Sequence, residues 1–105
     1  MKLIVAGPLK NNIYNLMRDA GYHFQREDSE NSSTELSFVR PRHGFPRLHI
    51  YAKIVGSDLE INLHLDQKKP VYQGVSAHAG EYDGKVVESE IARLKTLFSD
   101  SESGY

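Results

Sequence analysis

The chain contains no cysteine. That absence excludes disulfide staples, thiolate zinc sites, iron–sulfur clusters and cysteine nucleophiles together, so any metal needs His, Asp or Glu ligands. Long apolar runs are missing too. The run at residues 3–6 is too short for the core of a signal peptide, and nothing approaches a membrane span. A cytoplasmic protein with no membrane role is the expectation. Net charge is almost absent: 13 Lys and Arg face 14 Asp and Glu, leaving −1. This argues against coating nucleic acid through bulk charge, but it leaves room for a local basic patch. There is no internal repeat and no low-complexity tract.

The 105 residues are enough for one compact domain and too few for two. With 39% hydrophobic residues, a small core is within reach, and modest stability is expected of a domain that buries only roughly two-thirds of its unfolded surface. Residues 1–98 are read as that domain and 99–105 as a polar, flexible tail.

Periodicity supplies the elements. Residues 1–5 suit a short first strand. Gly7 and Pro8 then break the chain, and Pro8 is placed to open a helix. Leu9, Ile13, Leu16, Met17 and Ala20 recur at helical spacing. A helix is predicted over 9–20, with Gly21 as its left-handed terminator. Tyr22 and Phe24 alternate with polar neighbours, as do Leu36 and Phe38, which predicts two strands. The polar stretch 27–34 between them reads as a turn or loop. A second amphipathic helix, with Val87, Ile91, Leu94 and Phe98 as its stripe, is predicted over 83–98, capped by Asp83.

The clearest pattern is a hairpin at 47–66. Leu48, Ile50, Ala52 and Ile54 alternate with Arg47, His49, Tyr51 and Lys53. Leu59, Ile61, Leu63 and Leu65 alternate with Glu60, Asn62, His64 and Asp66. Strict alternation means two half-buried strands, and Gly56-Ser57 fits a two-residue turn with Gly first. That turn sets a register in which Val55 faces Asp58, Lys53 faces Glu60, Tyr51 faces Asn62, His49 faces His64 and Arg47 faces Asp66. A slip of one residue would turn the apolar face to water. The seven large side chains of that face need a cover, which the two helices supply. The predicted fold class is α+β: an antiparallel sheet of three to five strands with both helices on one face, in the order β-α-β-β-β-β-α.

Three groups of residues could carry chemistry on this frame. The first is a divalent transition-metal site on the polar sheet face. It would use His49, His64 and Asp66, with His78 and Glu81 brought over by the 67–82 loop. Imidazoles plus a carboxylate suit such an ion, and an open coordination position would acidify a water for hydrolysis. His49 and His64 form the wider kind of cross-strand pair, so convergence on one ion is not implied. No HExxH spacing is present. The metal-free variant makes His64 or His78 a general base oriented by Glu81 or Asp66, with Ser76 or a tyrosine as nucleophile. No Gly-x-Ser-x-Gly elbow supports it.

The second group is basic. Arg40, Arg42, His43 and Arg47 lie in a stretch with no acid between Glu35 and Asp58, and Lys68 and Lys69 leave the far end of the hairpin beside Arg47. They could clamp a phosphate-containing ligand or a nucleic-acid backbone, with Tyr51 and Phe45 as stacking surfaces. The bland alternative is a solvated loop. The third group is the run 78–82, His-Ala-Gly-Glu-Tyr, whose small residues let the backbone turn tightly. It also reads simply as the lead-in to the second helix. Two function classes follow: a ligand or metal site, hydrolytic in one version, or a non-catalytic module binding nucleic acid or a protein partner through the same face and the 40–47 loop.

Two resemblances add to this. The segment 15–26, Asn-Leu-Met-Arg-Asp-Ala-Gly-Tyr-His-Phe-Gln-Arg, resembles the opening helix and first strand of the small HicA-type toxins, which share the double-stranded-RNA-binding architecture. The resemblance implies that fold and an RNA partner. Where those toxins carry a catalytic histidine after the first strand, this chain has Asn31 to Glu35. The start of its second helix is acidic where double-stranded-RNA binders are rich in lysine. The stretch 46–84, with Leu-His-Leu-Asp-Gln-Lys-Lys-Pro at 63–70 and His-x-Gly-Glu-Tyr at 78–82, is similar to a small bacterial protein family of unknown activity.

Overall fold

A computed structural model describes residues 1–30, 33–67 and 79–103, the side chains at 30, 79–83 and 100–103 excepted. Five strands and two helices follow in order: β1 Lys2–Val5, α1 Ile13–Asp19, β2 His23–Glu30, β3 Ser33–Arg40, β4 Arg47–Val55, β5 Asp58–Asp66 and α2 Ala79–Ser103. The strands form one antiparallel sheet in the order β1-β5-β4-β3-β2. α1 packs beside β2, and α2 lies over β5 and β1. This is the expected α+β architecture, with both helices against the apolar face.

The central hairpin has the register its turn dictates. Val55 pairs with Asp58, Lys53 with Glu60, Tyr51 with Asn62, His49 with His64 and Arg47 with Asp66. Gly56 takes φ +66°, the sign that a tight hairpin turn needs and that only glycine adopts without strain. Both predicted charge matches form: Arg47 Nε lies 3.3 Å from Asp66 Oδ2, and Lys53 Nζ lies 3.8 Å from Glu60 Oε1. β1 joins the far side of β5, where Lys2 reaches the same Glu60 at 3.6 Å.

On the other face Ile50, Ala52, Leu59, Ile61 and Leu63 are buried against Leu16, Met17, Val87, Ile91, Leu94 and Phe98. Each large side chain there contributes roughly 1.5–3 kcal/mol of burial. The cover is incomplete. α1 has only seven residues, and Ile54, near the turn, stays 48% exposed.

Several element boundaries differ from expectation. α1 begins at Ile13 rather than near residue 9, because Asn12 is the stronger start signal: its side-chain oxygen accepts from the backbone N–H of Asn15 at 2.8 Å. The helix stops where predicted. Gly21 N–H donates to the carbonyl of Arg18 and Tyr22 N–H to that of Met17, both at 2.9 Å, which is the paired closure of a Schellman cap. The polar 27–34 stretch is not a loop: β2 and β3 run on through it as a ladder, from Glu27 opposite Leu36 to Glu30 opposite Ser33. Backbone pairing there needs no apolar face, so the hydrophobic pattern carried no trace of it. α2 starts at Ala79, and Asp83 lies within the helix rather than capping it. Among the described residues no helix is long and apolar enough to cross a membrane.

Candidate functional site

Neither helix lies on the polar face of the sheet. Its centre is a side-chain network rather than a pair of solvated histidines. His49, on β4, is only 5% exposed. Its Nδ1 is 2.7 Å from Asp66 Oδ2, and its Nε2 is 2.6 Å from Ser37 Oγ. Both ring nitrogens are therefore engaged. His64 is exposed, and between the two histidines stands Tyr51. The phenol ring stacks on His49 at 4.4 Å and 27°, and meets His64 edge-on at 5.6 Å and 72°. The histidines are register partners as predicted, but their rings are joined through Tyr51.

Ser37 is the residue that sequence reasoning missed. It lies on β3 opposite Tyr51 and is 1% exposed. A bulge between Phe24 and Arg26 puts Gln25 beside it, and the Ser37 hydroxyl lies 2.8 Å from Gln25 Oε1. The protons in this chain are constrained. A carboxylate only accepts, so Nδ1 of His49 donates to Asp66. If the Ser37 hydroxyl donates to Gln25, Nε2 must donate to Ser37 and the ring carries both protons. If the Gln25 amide is turned, its NH₂ donates to Ser37, which then donates to a neutral imidazole. The orientation of Gln25 thus decides whether Nε2 of His49 donates to Ser37 or accepts from it.

The order Ser–His–Asp matches the geometry of an activated nucleophile, but two further requirements are unmet. β3 is paired on both sides, so the backbone N–H groups around Ser37 belong to sheet ladders instead of aiming at an oxyanion. The hydroxyl itself is buried. The arrangement fixes three strands and the ring of His49. It does not present a reacting atom.

Of the residues named from the sequence, His49, His64, Asp66, Arg47 and Tyr51 share one neighbourhood. Arg47 spans Asp66 and the ring of Phe45, whose centroid is 4.8 Å from the guanidinium carbon. Arg40 points elsewhere, to Glu90 on α2 at 3.4 Å, so it belongs to the fold more than to a clamp. Arg42 and His43 are exposed in the loop after β3. Lys68, Lys69, Ser76 and His78 lie outside the described residues, as does the side chain of Glu81. The described residues include no group of three His, Asp or Glu side chains placed to hold a metal ion.

A second network was also invisible in the sequence. Glu90 on α2 is 6% exposed. Its carboxylate accepts from the Tyr22 hydroxyl at 2.6 Å and from Arg93 at 2.9 and 2.7 Å. Arg93 also donates to the carbonyl of Ala20 at 2.7 Å, which ties α2 to the end of α1. Burial pushes the Glu90 carboxyl up, but hydrogen bonds from Arg93 and Tyr22, with the charges of Arg93 and Arg40, outweigh it and hold the group below the ordinary carboxylate range. Burial, then the bond to Glu90, pushes the Tyr22 phenol well above its usual value.

Compared with protein-family models, curated proteins and solved structures, the chain matches none. Its function is read from this geometry.

Proposed function

We propose that the protein is a non-catalytic binding domain for a phosphate-bearing ligand with a planar base, either a free nucleotide or a stretch of single-stranded nucleic acid, held on the polar sheet face. The observation that carries this reading is Tyr51. Its ring is fixed between two imidazoles, one of them locked at both nitrogens. An aromatic surface that is already immobilised loses little entropy when a base stacks on it.

Charge supports the phosphate half. Lys2 and Lys53 share the single carboxylate of Glu60, and Arg47 leans on Asp66, so three cations meet two carboxylates in the ion pairs around Tyr51, while Arg26, Asp28 and Glu35 lie on the same face toward β2 and Asp58 at the hairpin turn. Arg42, exposed in the neighbouring loop, adds a further cation. The patch is local, in keeping with a chain whose overall charge is −1.

The reading does not depend on a metal, since His49 already spends both nitrogens on protein partners. Fluorescence anisotropy of a labelled oligouridylate, with AMP as competitor, tests it. Binding should be present at low salt and fall as salt rises. Tyr51→Ala should weaken it on the order of tenfold or more, the usual worth of one stacked base. Competition by AMP marks a nucleotide site, and binding of the oligomer alone marks a strand site. No binding of either at low salt removes the proposal.

A further inference from the structure

The two sides of Tyr51 differ. His49 and His64 form the register row next to it on the Arg47 side. There the polar groups are spent on one another: His49 on Asp66 and Ser37, Ser37 on Gln25, and Asp66 on Arg47 as well. His49 also stacks on the phenol from that side. The row on the other side is Lys53 with Glu60, and the uncovered face of the phenol looks toward it.

Two side chains of β5 border this open side. Asn62 is the direct partner of Tyr51, and Glu60 follows on the same face. Among the described residues neither side chain makes a hydrogen bond. Lys2 and Lys53 both approach Oε1 of Glu60, at 3.6 and 3.8 Å, which is ion-pair distance but too long for a hydrogen bond. The Glu60 side chain is only 16% exposed. It is thus a mostly covered carboxylate with its acceptor sites unspent, where such groups are as a rule hydrogen-bonded.

We infer that Glu60 and Asn62 read the edge of the base that stacks on Tyr51, and that they select a base carrying an exocyclic amine: adenine, cytosine or guanine over uracil or hypoxanthine. This rests on the stacking reading of Tyr51 and adds the identity of the base to it.

The spacing suits a flat ring. Successive rows on one face of a strand are about 6.8 Å apart, roughly twice the 3.5 Å or so of van der Waals contact. A base therefore fits between the phenol and the aliphatic stem of Lys53, with its edge toward β5. Bases are commonly read in this way, stacked on an aromatic ring and hydrogen-bonded along an exposed edge.

The chemistry of Glu60 sets the preference. A carboxylate only accepts. An amine gives it an N–H, whereas the carbonyl that replaces the amine in uracil or hypoxanthine sets acceptor against acceptor. The ring N–H of uracil stands between two such carbonyls. The Asn62 carboxamide holds both a donor and an acceptor, so it pairs with the ring nitrogen or carbonyl beside the amine. Because two ammonium groups flank Glu60, its charge is offset and does not drive the phosphate away.

Matched ligands test this at neutral pH and low salt. Oligocytidylate and oligouridylate of one length carry the same charge and backbone, so the phosphate contribution cancels and the ratio of affinities reports the base edge. By fluorescence anisotropy, labelled oligocytidylate should bind roughly tenfold or more tightly than oligouridylate, the usual worth of a hydrogen bond to a charged group. AMP should compete for the labelled oligocytidylate better than IMP by a similar factor; where neither mononucleotide competes, the oligomer ratio decides alone. Glu60→Gln, whose amide can turn to meet either edge, should bring the ratio close to one while binding persists. Asn62→Ala should weaken both oligomers about fivefold, as for one neutral hydrogen bond. Thermal melts monitored by circular dichroism confirm that the variants are folded. Equal binding of the two oligomers by the wild type, or a preference that survives Glu60→Gln, overturns the inference and leaves stacking at Tyr51 standing. Binding of no ligand at all removes both.

Discussion

His49 donates from Nδ1 to Asp66 Oδ2 across 2.7 Å. The bond runs diagonally from β4 to β5, since the direct register partner of Asp66 is Arg47. One carboxylate thereby holds a buried ring and a half-buried guanidinium at once. Its value lies mostly at the His49 end, because the Asp66 side chain is itself 32% exposed while that of His49 is 6% exposed.

Asp66→Ala should therefore destabilise the fold by about 2 kcal/mol, the usual cost of leaving a buried donor unpaired. His49→Ala should cost a similar amount. The double variant should cost clearly less than the sum, because each single change already breaks the shared bond. Urea unfolding of the three variants checks this, and additive costs would show that the two side chains act independently.

The Tyr22–Glu90 bond predicts a pH dependence. Glu90 is held below the ordinary carboxylate range when folded, so on acidification the unfolded chain takes up its proton first. Its contribution is full above that range and is lost as pH falls toward the folded value. Wild-type stability should drop over this acid window, and Glu90→Gln, less stable at neutral pH, should drop less. Tyr22→Phe should cost about 1.5–3 kcal/mol at neutral pH, as for a hydrogen bond to a charged group. Because the phenol of Tyr22 is pushed far up, that contribution persists until pH rises past the usual phenol range. Chemical unfolding from acid to alkaline pH reads both limbs.

Two glycines should respond unequally to alanine. At Gly56 a Cβ meets nothing within 4 Å but the backbone has φ +66°, so Gly56→Ala should cost about 1 kcal/mol, from conformation alone. At Gly7 a Cβ would fall on the carbonyl of Ser57, where the Gly7 N–H also donates to Asp58 Oδ1 at 2.8 Å. Gly7→Ala must push the end of β1 off the β4–β5 turn and should be the more damaging of the two. Thermal melts of both variants decide the order.

What could be read from the sequence depended on whether local chemistry fixed the geometry. The β4–β5 register was legible because a two-residue turn sets it residue by residue, and alternation fixes the faces. The β3–β4 register was not. The six residues between those strands specify no turn type, so nothing placed Ser37 beside His49, and the histidine was read as half of a surface pair. Glu90 suffered in the same way. On a helical wheel it flanks the apolar stripe, one turn from Val87 and Leu94, but its partner Tyr22 is 68 residues away. The Schellman cap at Gly21 was legible because its signal is local. The polar extension of β2 and β3 was not, because two polar strands in water carry no hydrophobic period.

The central claim is that a planar, phosphate-bearing ligand lies on the sheet face at Tyr51 and His64. A proton–nitrogen NMR titration with AMP and with oligouridylate, reading the histidine side chains together with the backbone, tests it most directly. The account predicts that the His64 ring and the amides of β4 and β5 around Tyr51 shift with saturation, while α1 on the apolar face stays still. No shift with either ligand, or shifts confined to the helix side of the sheet, would contradict it.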